Sequence, residues 1–121
     1  MTEIKGDRKH AFNLGQLVGR LSKIQIDNDN TPAYSRFSVS SLSKANFMSV
    51  ANETISKLGY YYDSDNLHKY IPGGYELDDF VDDIDNRSPP TNWDISDEEV
   101  RYYYALGIAE AITYTDIEDD E

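Results

Sequence analysis

Carboxylates dominate the residues of this 121-residue chain that could do chemistry. The stretch ELDDFVDDIDN, positions 76–86, holds apolar residues at helical spacing and fills most other positions with acids. Asp is a mediocre helix former, and Asp pairs four residues apart repel by roughly 0.2–0.5 kcal/mol each. A helix of this kind is either held by its apolar face or retains its acids for a partner that they contact. Its five aspartates are Asp78, Asp79, Asp82, Asp83 and Asp85.

Catalytic and metal-binding patterns are weak throughout the sequence. General acid–base catalysis needs a carboxyl whose pKa is raised by burial, whereas these acids are predicted to face solvent. His10 and His68 lie far apart and in no metal-ligand spacing, and residues 63–66 lack the glycine and terminal glutamate of a calcium loop. The glycines at 73–74 lack the lysine that follows in a phosphate-binding loop. We therefore predict a protein that is not an enzyme and uses no metal or other cofactor.

The charge is divided unevenly between the two halves of the chain. Residues 1–59 contain five acids and eight Lys or Arg, net +3, whereas residues 60–121 contain eighteen acids and three Lys or Arg, net −15. The acidic half should repel nucleic acid, so we expect no direct DNA or RNA binding through that face. Its expected partner is a basic protein surface.

Composition predicts one domain located in the cytoplasm. The chain has no cysteine, no apolar run long enough to span a bilayer, and no secretory signal at its N-terminus, so we expect no membrane association. We divide it into an N-terminal arm at 1–10, a helical domain at 11–115 and an acidic tail at 116–121. The oligomeric state is left open.

Apolar periodicity predicts an all-α fold, a compact bundle of four to five helices. Helices are expected at 11–26, 43–58, a short segment around 64–70, the acidic stretch 76–86, and from Ser96 to about Tyr114. Gly15 and Gly19 sit four residues apart in the first helix, which indicates that a neighbouring helix approaches it closely. The segment 34–41 is predicted to be either a short extended piece or the entry to a helix.

Tyrosines beside the acids suggest a binding surface. The chain has ten tyrosines, and three consecutive ones at 102–104 cannot all face one core. Tyrosine is enriched in protein interfaces, although stacking within the bundle would also explain its abundance. Aspartates four apart on a helix lie about 6 Å apart along its axis, and a DNA strand presents a phosphate every 3.4 Å, so acidic rows could imitate nucleic acid. The predicted partner-binding residues are the five aspartates together with Glu98, Glu99, Tyr102 and Tyr103.

Three stretches resemble the C-terminal, small-subunit-like region of the large subunit of the type I-C CRISPR Cascade complex. The first is AFNLGQL at 11–17, which continues to Lys23-Ile24-Gln25. The second combines Ser40, Phe47 and Lys57-Leu58, and the third is YALG at 104–107. Their order and spacing are similar to those of the family across residues 11–110, although Ser43 stands where the family has proline.

The resemblance implies a non-catalytic helical module that packs beside the small subunits, near the displaced DNA strand. A module along DNA should be neutral or basic, whereas this chain is strongly acidic. We therefore expect a free-standing acidic protein in the cytoplasm of a bacterial host cell. We interpret it as an anti-CRISPR-type inhibitor that binds a DNA-binding surface of Cascade or another DNA-handling nuclease by subunit or nucleic-acid mimicry. Its origin, phage or host, is left open. The alternative is a structural component of Cascade, in which basic residues contact nucleic acid or sibling subunits. Those residues are Lys5, Arg8, Lys9, Arg20 and Lys23.

Overall fold

The computed structural model describes residues 7–39, 47–60, 70–71 and 97–114. These residues form four α-helices and no strand, which confirms the all-α prediction. The helices are α1 (Asp7–Asp27), α2 (Ala33–Arg36), α3 (Phe47–Leu58) and α4 (Asp97–Thr113). The acidic stretch 76–86, the segment 61–69 and the tail 116–121 lie outside the described residues. Within the described part of the chain, every helix is too short or too polar to cross a lipid bilayer.

Helix α1 occupies the centre of the bundle. It begins at Asp7, four residues before the predicted start at residue 11. Its apolar spacing accounts for one buried side, yet all twelve residues from 11 to 22 are buried. The polar Asn13, Gln16 and Arg20 are at most 3% exposed, because other parts of the chain cover that side of the helix as well.

The core forms where the apolar residues of α1 meet those of the other elements. Leu14, Leu17 and Leu21 are completely buried, as the periodicity predicted. Around them pack buried side chains from α2, α3 and α4 and from the described pair 70–71. Those side chains are Ala33, Val50, Ala51, Leu58, Ile71, Val100, Tyr104, Ile108 and Ala111.

Helices α1 and α4 run parallel to each other. Contacts join residue 8 to 99 near the start of both helices, residue 15 to 104 and 107 midway, and residue 23 to 114 at the end. Both helices therefore run in the same direction, and the difference in residue number between their contacting positions is nearly constant. The two amino-terminal ends lie together at one end of the bundle, and the two carboxy-terminal ends lie together at the other.

Glycines allow the backbones of α1 and α4 to touch. A Cβ atom added to Gly15 would overlap the Tyr104 carbonyl oxygen, and one added to Gly107 would overlap the Phe12 carbonyl oxygen. A Cβ on Gly19 would lie 2.7 Å from the Ile108 carbonyl oxygen. The close helix approach predicted from Gly15 and Gly19 is confirmed, and its partner is α4.

Helix α1 ends in a polar turn that leads into α2. Asp29 adopts a left-handed backbone conformation (φ 62°), which Asp tolerates better than most residues, and Asn30 N–H donates to the Gln25 carbonyl at 2.8 Å. The Gln25 side-chain oxygen then accepts a bond from Ala33 N–H (2.7 Å), and Ser22 Oγ accepts one from Tyr34 N–H (3.0 Å). Of the two predictions for the segment after Pro32, the structure contains the helical one, a single turn held against α1.

Tyr104 connects α4 to the segment that follows α2. Its ring is completely buried, and its hydroxyl donates to the Phe37 carbonyl oxygen at 2.7 Å. Burial raises the pKa of the Tyr104 phenol well above its ordinary value, because the ionised form would lose its hydration. The triplet at 102–104 is thus divided as predicted: Tyr104 faces the core, and Tyr102 is 60% exposed.

We expect Gly15→Ala to destabilise the protein by about 1–3 kcal/mol, because the added methyl group must push apart two helix backbones that are in contact. Urea unfolding measures this loss. Gly59→Ala is the control, since its Cβ would meet nothing closer than the Ser56 carbonyl oxygen at 3.3 Å. Equal stability of Gly15→Ala and the wild type would contradict the backbone contact.

We expect Tyr104→Phe to cost about 1 kcal/mol at neutral pH, because the hydrogen bond to Phe37 is lost. The raised pKa adds a pH dependence. Above pH 10.0, the ordinary pKa of a tyrosine phenol, Tyr104 ionises in the unfolded chain but not in the folded one, so the wild type should lose stability as pH rises. The slope attributable to this residue is about 1.4 kcal/mol per pH unit, and Tyr104→Phe should lack it. Urea midpoints at several alkaline pH values measure it, with exposed Tyr102→Phe as the control.

Candidate partner-binding site

The described members of the predicted site meet at the amino-terminal end of α4. Glu98, Glu99, Tyr102 and Tyr103 line an open cleft of about 340 Å³, and Arg8 from the first turns of α1 closes one side. The structure therefore brings together four of the nine predicted residues. The five aspartates at 78–85 lie outside the described residues, and their role stays a prediction.

The parallel arrangement of α1 and α4 explains why Arg8 belongs to this cleft. Its guanidinium Nη2 donates to Glu99 Oε1 at 3.2 Å, and both side chains are about half exposed (46% and 48%). Sequence reasoning assigned Arg8 to a basic set and Glu99 to an acidic one, without pairing them. No local signal could pair residues 91 positions apart. One predicted partner-binding acid is thus matched by the chain's own arginine.

The acids at the start of α4 also suit the helix itself. The amino-terminal end of a helix carries a partial positive charge that favours carboxylates. Glu98 is exposed and has no ion pair among the described residues. Its charge is therefore available to a partner, although its position is already explained by the helix dipole.

The two tyrosines form one aromatic wall of the cleft. Their rings meet edge to face, with centroids 4.9 Å apart and planes at 83°. Tyr103 packs against the core, whereas Tyr102 projects into solvent. An exposed ring held by a partly buried one is a pre-ordered contact surface, and carboxylates beside it favour a cationic side chain such as Lys or Arg.

The basic residues of the alternative hypothesis are less accessible than the sequence suggested. Arg20 is 3% exposed and its guanidinium lies over the Tyr70 ring, 5.5 Å from the centroid. Lys23 Nζ donates to the Tyr114 carbonyl oxygen at 2.7 Å, where a cation also suits the carboxy-terminal end of α4. Arg20 is therefore not available as a nucleic-acid contact in this structure, because its charge is buried against an aromatic ring. Lys5 lies outside the described residues.

The described residues contain no group of three or more His, Asp or Glu side chains placed to hold a metal ion. The cleft consists of carboxylates, phenols and one guanidinium. This arrangement suits recognition of a charged or aromatic protein surface.

Comparison with protein families decides the assignment of the chain. Residues 5–121 match the family model described as CRISPR-associated protein TM1802 (cas_TM1802) C-terminal domain. The chain belongs to this family. Membership supports the resemblance to the C-terminal region of a Cas large subunit and a CRISPR-related role, and it does not single out type I-C. Searches of curated proteins and of solved structures each returned no match.

The family match covers all the helices described above, since it begins before Asp7 and extends beyond Thr113. The residues that carried the resemblance in sequence include Gly15 and Gly107, which make the backbone contact between α1 and α4. In this chain those motifs therefore hold the helices together.

We expect the Arg8–Glu99 pair to contribute less than about 1 kcal/mol to stability, because both partners are half exposed. A double-mutant cycle of Arg8→Gln and Glu99→Gln in urea unfolding measures the coupling energy, which should shrink further in about 1 M salt. Glu98→Gln is the matched control. A coupling of several kcal/mol would contradict a solvent-screened pair.

Proposed function

We propose that this chain is a non-catalytic helical module of a CRISPR effector complex, corresponding to the C-terminal region of a type I-C Cascade large subunit. The match of residues 5–121 to the family of CRISPR-associated C-terminal domains carries this proposal. The structural component, which sequence reasoning held as the alternative, is therefore preferred to the inhibitor.

The chemistry of the described surface supports a role in assembly. The cleft at the start of α4 offers an exposed tyrosine ring and the Glu98 carboxylate, which has no ion pair among the described residues; both groups can recognise protein. The buried Arg20 and the carbonyl-bound Lys23 support contact with a protein subunit more than contact with DNA through α1.

The inhibitor is retained as a second candidate because of one observation, the net charge of −15 in residues 60–121. A subunit that lies along nucleic acid would gain nothing from such a charge, whereas an inhibitor that occupies a basic groove would. The two candidates differ in what they do to DNA binding by the complex.

Reconstitution of a type I-C Cascade with this chain tests both candidates. We expect the tagged chain to co-purify with the other subunits and to leave their affinity for duplex target DNA unchanged or improved, as measured by fluorescence anisotropy. An inhibitor would instead compete with DNA, and the competition would weaken steeply as salt rises.

The matched variant carries Asn at positions 78, 79, 82 and 83 in place of the aspartates. Under the assembly proposal this variant co-purifies as the wild type does. If the complex fails to capture the variant and the wild type competes with DNA, the chain is a nucleic-acid-mimicking inhibitor and the assembly role is rejected. Absence of the wild-type chain from the purified complex would overturn the assembly role directly.

A further inference from the structure

The outward side of α4 is apolar, unlike the outward side of the other long peripheral helix. Tyr102, Ala105, Leu106 and Ala109 follow one another at helical spacing on the side of α4 that points away from α1. Tyr102 and Ala109 are exposed, and Ala105 and Leu106 are partly exposed. We call these four residues the outer stripe of α4.

Helix α3 provides the internal comparison. Its exposed positions with the same spacing are Ser49, Asn52 and Ser56, all of them polar. A helix that is apolar on one side only needs one packing partner to bury that side, whereas a helix that is apolar on both sides needs a second packing partner. In α4 the inner side is covered by α1, and the outer stripe remains open among the described residues.

The shape of the outer stripe fits another helix. Its residues occupy positions i, i+3, i+4 and i+7, which is the pattern of a helix–helix seam. The small side chains of Ala105 and Ala109 permit a partner helix to approach α4 closely. The large side chains of Tyr102 and Leu106 supply the apolar area that such a partner would bury. A partner helix would therefore lie along α4 and gain most of its contact from Tyr102 and Leu106.

Charges around the outer stripe define the partner further. Glu98 and Glu110 stand near its two ends, about 18 Å apart along the helix axis, and neither side chain has an ion pair among the described residues. Glu99 is already matched by Arg8, and Arg101 is the single basic residue of α4. Both ends of the outer stripe are thus acidic, and a complementary partner would carry Lys or Arg opposite each end.

Charge also argues against an occupant from the two acidic segments of the chain that flank α4. Residues 72–96 contain seven acids and one arginine, and residues 115–121 contain five acids and no Lys or Arg. Either segment would bring like charge to Glu98 and Glu110. We propose that the outer stripe of α4 docks an amphipathic helix of another protein that presents lysines or arginines beside its apolar face. This inference rests on the proposed assembly role and names the chemistry of one partner surface.

The binding test uses the full chain and a fluorescein-labelled peptide of about 18 residues, enough for five helical turns. The peptide carries Leu and Ala on one face and Lys at both flanks, and a matched peptide replaces each Lys by Glu. We expect the Lys peptide to bind, as measured by fluorescence anisotropy, and the Glu peptide to bind at least about tenfold more weakly at low salt. Equal binding of both peptides, or binding of neither, would overturn the proposal.

Two substitutions locate the binding surface. Ala109→Arg places a bulky cation at the last position of the outer stripe and should weaken binding of the Lys peptide about tenfold or more. Ser56→Arg adds the same side chain to the exposed face of α3 and should leave binding unchanged. Circular dichroism and urea midpoints show that each variant folds. Equal effects of the two substitutions would show that peptide binding depends on the net charge of the protein and not on the outer stripe, and would overturn the proposal.

The same pair of variants separates this inference from the assembly role. In the reconstituted complex, retention of Ser56→Arg and loss of Ala109→Arg supports the docking site. Retention of both variants overturns the docking site and leaves the assembly role intact. If sedimentation shows that the free chain dimerises and that Ala109→Arg makes it monomeric, a second copy is the occupant, and the basic partner helix is rejected.

Discussion

Contact between the backbones of α1 and α4 is the constraint on which the rest of the structure depends. Gly15, Gly19 and Gly107 remove the side chains that would otherwise separate the two helices. Helices this close have little freedom to slide or rotate, so their parallel direction and register are fixed. That register places Arg8 beside Glu99 at one end of the pair and Lys23 beside the Tyr114 carbonyl at the other.

Much of the helical architecture was predictable from the sequence because apolar spacing and terminal residues are local signals. The first helix, the body of α3 and the last helix followed from them, as did the close approach at Gly15 and Gly19. The parallel direction was not predictable, since periodicity carries no information on which ends of two helices meet. Nor was the burial of Gln16, whose amide is fully enclosed and has no hydrogen-bond partner within the described part of the chain.

The grouping of the candidate site residues was predictable only where those residues are neighbours in sequence. Glu98, Glu99, Tyr102 and Tyr103 share a cleft because they occupy successive turns at the start of one helix. The contribution of Arg8 depends on the register of α1 against α4, which only the folded structure supplies. The family match gives the chain a place among CRISPR-associated proteins.

The long separation in sequence between α1 and α4 has a consequence for how the chain reaches its native state. The bonds that join the two helices link residues 91 positions apart, so closing them requires a large loop and raises the contact order of the fold. During synthesis α1 emerges first and α4 after α2 and α3, which leaves the glycine-lined side of α1 open to solvent until then. A nascent chain in that condition exposes the backbone around Gly15 and Gly19, which in the folded protein contacts α4.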